Sequence, residues 1–118
     1  MSEDRRQRDG ESKLPAAEPL ALGGLVEYAA GSIVSRTIAD SAAGTVTLFA
    51  FDAGQGLSEH STPYDALVQV LDGQAELTIG GRTVSAAAGE LVVMPADVPH
   101  SVRAVGRFKM MLTMLRAG

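Results

Sequence analysis

The sequence predicts an all-β domain, and three observations support that fold class. Glycines recur at short intervals from Gly31 to Gly106 and divide the chain into segments of strand length, which is typical of antiparallel sandwiches and barrels. Several of these segments are rich in β-branched and aromatic residues, which favour strands. Residues 31–116 show no helical period of useful length, so no helical layer is expected.

The first 22 residues are expected to form a disordered N-terminal tail (1–22), followed by a single domain over residues 23–118. The tail is charged as far as Lys13 and then rich in proline and alanine, so it has little apolar surface to bury. Acidic residues interleave its arginines, which favours a solvated segment over a site for an anionic partner. The fold itself is expected to begin near Leu25.

The strands of the predicted sheet follow in order along the chain. Residues 33–38 and 45–52 form the first two, because both are rich in β-branched and aromatic side chains. Residues 74–79 alternate between apolar and polar side chains, as expected for a strand with one buried face. Gly80 and Gly81 then supply the two positive-φ positions of a tight hairpin.

Two further segments, residues 66–71 and 109–115, are apolar on both faces. A strand buried on both sides explains this pattern, and its outer face is expected to meet a second sheet or a partner subunit. We therefore expect a homodimer, with the last strand and residues 33–38 as contact surfaces. The last strand also carries three methionines expected to pack in the core or the interface, namely Met110, Met111 and Met114.

The composition excludes several classes of function. The 118 residues include no cysteine, which rules out disulfides, a thiolate nucleophile and zinc–thiolate sites. The net charge is −4, and two tyrosines and three phenylalanines are too few for base stacking, so no nucleic acid partner is expected. No apolar run approaches the roughly 20 residues that span a membrane. The charged N-terminus does not resemble a secretory signal, so the expected location is the cytoplasm.

The chain has two histidines, and both lie in spaced frames of the same kind. The frames read Gly54-x5-His60-x-Thr62-x3-Ala66-x6-Gly73 and Gly89-x5-Pro95-x-Asp97-x2-His100, and residues 74–88 separate them. Neutral imidazole is the commonest metal ligand in proteins. Two imidazoles on neighbouring strands of a small barrel can converge on one interior point, so the spacing predicts a pocket that holds a ligand.

The two frames resemble the motifs of the cupin superfamily, Gly-x5-His-x-His-x3-4-Glu-x6-Gly and Gly-x5-Pro-x-Gly-x2-His-x3-Asn. Six positions match, namely Gly54, His60, Gly73, Gly89, Pro95 and His100. The resemblance covers about residues 31–116 and is that of a small single-domain, bacterial-type cupin. It implies a double-stranded β-helix (jelly-roll) barrel, usually dimeric, with its site inside one open end.

The departures from these motifs concern the metal ligands. Thr62 stands at the second histidine, Ala66 at the glutamate and Ala104 at the terminal asparagine, while Asp97 replaces a glycine. The resemblance therefore leaves His60 and His100 as candidate ligands of a divalent metal such as iron, manganese, nickel or zinc.

A third ligand could come from several sources. A carboxylate from Glu59, Asp65 or Asp97 would need a local irregularity, because neighbouring strand residues point to opposite faces. With such a carboxylate the donor set would suit non-haem iron. Water, or a carboxylate of the bound ligand itself, is the alternative.

The walls expected around the two histidines suit a small, partly apolar organic molecule. Strand parity and position predict four ligand-binding residues, namely Thr62, Tyr64, Ala66 and Val68. Four functions stay open: a metal-binding enzyme, a metal-free binding module or sensor, a metal-free isomerase or epimerase with a histidine base and Tyr64 as acid, and a structural role. In the last case the histidines would only bridge each other or a water.

Overall fold

The structure, a computed structural model, describes residues 14–116; the first 13 residues of the predicted tail lie outside the described part. Within that part a short 3₁₀ turn at Leu22–Leu25 precedes nine strands. The strands are β1 (Ile33–Ser41), β2 (Gly44–Phe51), β3 (Gly56–His60), β4 (Asp65–Asp72), β5 (Gln74–Ile79), β6 (Arg82–Ala87), β7 (Leu91–Met94), β8 (His100–Arg103) and β9 (Phe108–Leu115).

The strands form two antiparallel sheets that enclose the core. One has the order β1-β2-β9-β4-β7 and the other the order β3-β8-β5-β6. Neighbours that are distant in sequence, such as β2 with β9 and β3 with β8, are the mark of a jelly roll. The predicted all-β jelly-roll fold is confirmed, and the described residues contain no helix that is long and apolar enough to cross a membrane.

The glycine turns of the sequence close the hairpins as predicted. Gly80 and Gly81 have φ of 57° and 84°, the geometry of a two-residue turn, and Ile79 pairs with Arg82 across it. Gly73 turns β4 into β5 with φ of 74°. A Cβ on Gly73 would lie 2.3 Å from the carbonyl oxygen of Arg107, so both the dihedral and the close backbone approach require glycine.

The core lies between the two sheets and is built from alternate residues of each strand. Phe51 and Phe108 stack at its centre with ring centroids 4.5 Å apart, and neither side chain is exposed. β4 contributes Ala66, Val68 and Val70, all buried, because these alternate residues face inward. The centre of the barrel is therefore filled by apolar side chains.

The outer face of the five-stranded sheet is covered by the chain itself. Val26, 3% exposed, packs there against Leu48 and Ala50 in a second apolar cluster. Two basic side chains fix the covering segment from below, since Lys109 Nζ donates to the Gly23 carbonyl at 2.6 Å and Arg36 to the Leu25 carbonyl at 2.9 Å. The predicted cover was a second sheet or a partner subunit, whereas this part of the face meets the N-terminal segment. The homodimer stays a prediction.

Candidate functional site

The two histidines face each other across neighbouring strands. His60 on β3 is the register partner of His100 on β8. Their ring centroids lie 4.4 Å apart and their planes meet at 70°. His100 is 5% exposed, whereas His60 is exposed at the mouth of the barrel. The tertiary structure thus brings together the two metal-ligand positions that the frames predicted.

A β-bulge in β3 puts His60 on the inner face. Leu57 pairs with Val102 and His60 pairs with His100, so three steps along β3 match two steps along β8. The extra residue of a bulge reverses the alternation of side chains for the rest of the strand. Leu57 and His60 consequently both line the same cavity, while Glu59, within the bulge, is exposed.

The loop that leads into His100 is tied to the β3–β4 connection. The amide of Asp97 donates to the Thr62 carbonyl at 2.7 Å, and the amide of Ala96 donates to the Asp65 carboxylate at 2.9 Å. Asp97 stands where the cupin motif has glycine and adopts φ of 65°, a left-handed conformation that aspartate tolerates better than most residues. These hydrogen bonds fix the position of the loop before β8 relative to the β3–β4 connection, and with it the position of His100.

The backbone selects the same tautomer for both imidazoles. Nδ1 of His60 lies 2.8 Å from the Ser58 carbonyl oxygen, and Nδ1 of His100 lies 3.1 Å from the Val98 carbonyl oxygen. A carbonyl oxygen can only accept, so each Nδ1 carries a proton, and in the neutral imidazole the lone pair is then on Nε2. Hydrogen bonding of one ring nitrogen is how proteins orient a histidine whose other nitrogen binds a metal.

Both Nε2 atoms are available to a ligand. Within residues 14–116, neither Nε2 has a hydrogen-bond partner. The same residues contain no fully buried side-chain nitrogen or oxygen without a partner. The Nε2 of the buried His100 therefore keeps contact with the cavity.

The cavity beside the histidines is small and mostly apolar. It has about 30 Å³ of space for the centres of water molecules, enough for one or two waters or an ion. Its polar walls are the two imidazoles and Thr62, three further walls are methionine side chains, and the remainder is aliphatic. The lining comprises Leu57, His60, Thr62, Ala66, Met94, His100, Val102, Met110, Leu112 and Met114.

Of the four residues predicted to bind a ligand, two line the cavity and two lie elsewhere. Thr62 and Ala66 line the cavity. Tyr64 does not, since its ring lies under the Arg116 guanidinium at 5.6 Å, and Val68 is wholly buried in the core. Ligand binding by Tyr64 or Val68 at this cavity therefore lacks the geometry on which the prediction depended.

None of the three candidate carboxylates reaches the histidines. Asp65 accepts a hydrogen bond from Ala96, and Glu59 and Asp97 are exposed. In the described part of the chain, no group of three among histidine, cysteine, aspartate and glutamate is placed to hold a metal ion. The donor set at the cavity is two neutral imidazoles without a carboxylate, which does not fit the two-histidine, one-carboxylate triad.

Sequence reasoning missed the methionines of the site. Met110 and Met114 were expected in the core or an interface, and Met94 was not singled out. Ala66 pairs with Met94 of β7 on one side and with Met114 of β9 on the other. This arrangement depends on the pairing of β4 with two strands distant in sequence. The one signal in the sequence was the alternation along the last strand, which could have placed the side chain of Met114 on the inner face.

Comparisons with known proteins agree with this architecture. Residues 47–115 match the family model of the cupin domain. SPY1581, a conserved protein of unknown function from Streptococcus pyogenes, is 36% identical with a TM-score of 0.86 over 91% of this chain and 94% of that chain. A cupin superfamily protein from Desulfitobacterium hafniense, DSY2733, is 29% identical with a TM-score of 0.84 over 90% of this chain and 97% of that one.

A curated relative matches a shorter stretch. The uncharacterized protein SCO3923 of Streptomyces coelicolor is 38% identical over 56 residues, which cover 48% of this chain and 53% of that protein. The match thus spans about half the length of this relative. Two facing antiparallel sheets with paired histidines at one open end define a jelly-roll barrel protein. With the family model matched over more than half of its length, the chain belongs to the cupin family.

Proposed function

We propose that the protein binds a metal ion at the open end of its barrel through Nε2 of His60 and His100. The observation that carries this proposal is the tautomer of the pair: each Nδ1 donates to the backbone carbonyl two residues before its own histidine. Both lone pairs are therefore left for one cavity. Imidazoles that only filled space would not need a common tautomer.

The size of the cavity favours an ion over an organic molecule as the ligand held directly by the histidines. Its roughly 30 Å³ of space for water centres is far below the roughly 300–1,000 Å³ of pockets for organic ligands. A small organic molecule would have to approach from the exposed side of His60 and complete the coordination of the ion. When bound, a metal with two protein ligands keeps open positions and supplies Lewis-acid chemistry there.

The other functions have less support. A general acid role for Tyr64 requires its hydroxyl within hydrogen-bond reach of the reacting group, and Tyr64 lies outside the cavity lining. A metal-free binding module or sensor would use the same imidazoles as hydrogen-bond acceptors. The metal titration below distinguishes it from the proposed function.

The test is a metal titration of tag-free protein followed by ¹H–¹⁵N correlation spectra of the imidazoles. We expect about one ion per chain and a shift of both Nε2 signals, because each Nε2 donates its lone pair to the bound metal. His60→Ala and His100→Ala should each lose binding. Leu57→Ala is the matched control, since Leu57 lines the same cavity without a donor atom. If the wild-type protein binds none of the metals offered, the proposal is wrong.

The predicted homodimer and cytoplasmic location remain proposals as well. β1, which includes residues 33–38, is an edge strand of the five-stranded sheet, and an edge strand offers unpaired backbone groups to a second copy. Light scattering at micromolar concentration should give twice the chain mass of 12.2 kDa. A monomer would contradict the dimer.

A further inference from the structure

We infer that the site selects a soft monovalent cation, copper(I), and that the thioethers of Met94 and Met114 complete its ligand set. The inference rests on the proposed function, because it requires that His60 and His100 bind a metal. It differs from the resemblance, which implies iron, manganese, nickel or zinc.

Two sulfur-bearing residues stand beside Ala66 on the neighbouring strands. Met94 and Met114 flank Ala66 from opposite sides as its register partners on β7 and β9. Residues directly opposite on one face of an antiparallel pair have Cβ atoms only about 4.5–5.5 Å apart. Ala66 stands at the position of the cupin motif's glutamate. Its methyl group leaves the space that a glutamate would fill, and two methionines border that space.

Both methionine side chains share one small cavity with the imidazoles. Met94, Met114, His60 and His100 all line it, and Met94 is 3% exposed. The cavity has room for little more than an ion, so an ion held there by the histidines would have methionine side chains as neighbours. Met110 also lines it but pairs with Val70, about 13 Å further along β4 at 3.3 Å per residue.

The described lining of the cavity carries no negative charge to balance a bound cation. The described residues offer two neutral imidazoles and neutral thioethers, with no carboxylate in the cavity lining. The cost of moving an ion from water into an apolar site grows with the square of its charge, so a dication needs a compensating anion far more than a monocation does. Carboxylate and water oxygens suit manganese, whereas thioether ligands select copper(I).

The experiment compares metals under anaerobic reducing conditions. Copper(I) affinity is measured by competition with a chromogenic copper(I) chelator, and iron(II), manganese(II), nickel(II) and zinc(II) by equilibrium dialysis. We expect one copper(I) per chain, bound more tightly than each divalent ion. X-ray absorption at the copper edge should contain a sulfur shell beside the nitrogen shell. This measurement uses the wild-type chain, so it does not depend on the folding of any variant.

Conservative substitutions of the methionines test which of them supplies a sulfur ligand to the metal. Met94→Leu and Met114→Leu keep the volume and should each weaken copper(I) binding at least tenfold, since the loss of even an outer partner of a metal ligand costs roughly 10–100-fold. Met111→Leu is the matched control and should leave the affinity unchanged, because Met111 packs in the second apolar cluster and does not line the cavity. Silver(I), which is soft and does not change oxidation state here, should follow the same order.

The outcomes separate this inference from the proposed function. If the histidine variants lose metal while the methionine variants keep it, and the absorption spectrum shows nitrogen and oxygen alone, the paired-histidine site stands and the thioether ligands do not. Tighter binding of any divalent ion than of copper(I) would also overturn the selection. If the wild-type chain binds no metal, both proposals fail.

Discussion

His60 and His100 lie opposite each other on β3 and β8, with ring centroids 4.4 Å apart and planes at 70°. The two rings differ in environment although they share a tautomer. His100 is 5% exposed, and His60 is exposed. One imidazole thus belongs to the interior and the other to the mouth of the barrel, so loss of each should affect stability differently.

His100→Ala should lower the free energy of unfolding by about 1–3 kcal/mol, because it leaves the half-buried Val98 carbonyl without its partner. His60→Ala, at an exposed position, should change it by about 0.5 kcal/mol or less. Urea unfolding of the apo proteins measures both. Equal losses would mean that His60 is as much a structural residue as His100.

Gly73→Ala should destabilise the fold more than Gly81→Ala does. Both glycines have positive φ, at 74° and 84°, so each alanine carries roughly 1–2 kcal/mol of backbone strain. At Gly73 the new Cβ would also meet the Arg107 carbonyl oxygen at 2.3 Å, whereas nothing lies within 4 Å at Gly81. Overpacking of this kind adds about 1–3 kcal/mol. Thermal unfolding of the two variants separates the backbone strain, which both share, from the contact with the Arg107 carbonyl, which only Gly73→Ala makes. Equal unfolding midpoints would mean that this contact costs nothing.

Val26→Ala should show that the N-terminal segment is part of the folded unit. Val26 is 3% exposed against Leu48 and Ala50, and removal of two buried methyl groups together with the resulting void costs about 2 kcal/mol. Val105→Ala is the control, because Val105 is 67% exposed. Chemical denaturation followed by far-ultraviolet circular dichroism measures the difference. An unchanged midpoint for Val26→Ala would mean that the cover adds nothing to stability.

Asp52 should make the stability depend on acid. Its carboxylate accepts from Arg107 Nε at 2.8 Å and from the Gly31 amide at 2.7 Å, and these bonds, that to Arg107 first, lower the pKa of Asp52 from 3.8 to about 2. A depressed pKa in the folded state means that the carboxylate stabilises the fold above pH 3.8 and loses this effect as the pH falls toward 2.

The measurement is thermal unfolding of the wild type and Asp52→Asn at several pH values. We expect the wild type to be more stable at neutral pH and the gap between the two proteins to close between pH 4 and pH 2. Asp40→Asn changes an exposed aspartate of β1 and serves as the control. A stability difference between wild type and Asp52→Asn that persists at the lowest pH would mean that the carboxylate charge is not its cause.

Much of the fold was predictable because its signals are local. The alternation of residues 74–79 and the glycine pair at 80–81 each determine a strand or a turn within a few residues, and both are confirmed. The two histidines were predictable as a pair through the frames that surround them. The alternation rule alone would have misplaced His60, because the bulge in β3 reverses it.

The sequence by itself determined the fold class, the glycine turns and the two imidazoles, because strand period and backbone dihedrals depend on near neighbours along the chain. Only the tertiary structure decided that Met94 and Met114 border Ala66, that no candidate carboxylate joins the histidines in the described residues, and that residues near Val26 cover the outer face of the sheet. Each depends on which strands become neighbours and in what register. Register between distant strands is set by the packing of the whole barrel, so no local pattern encodes it.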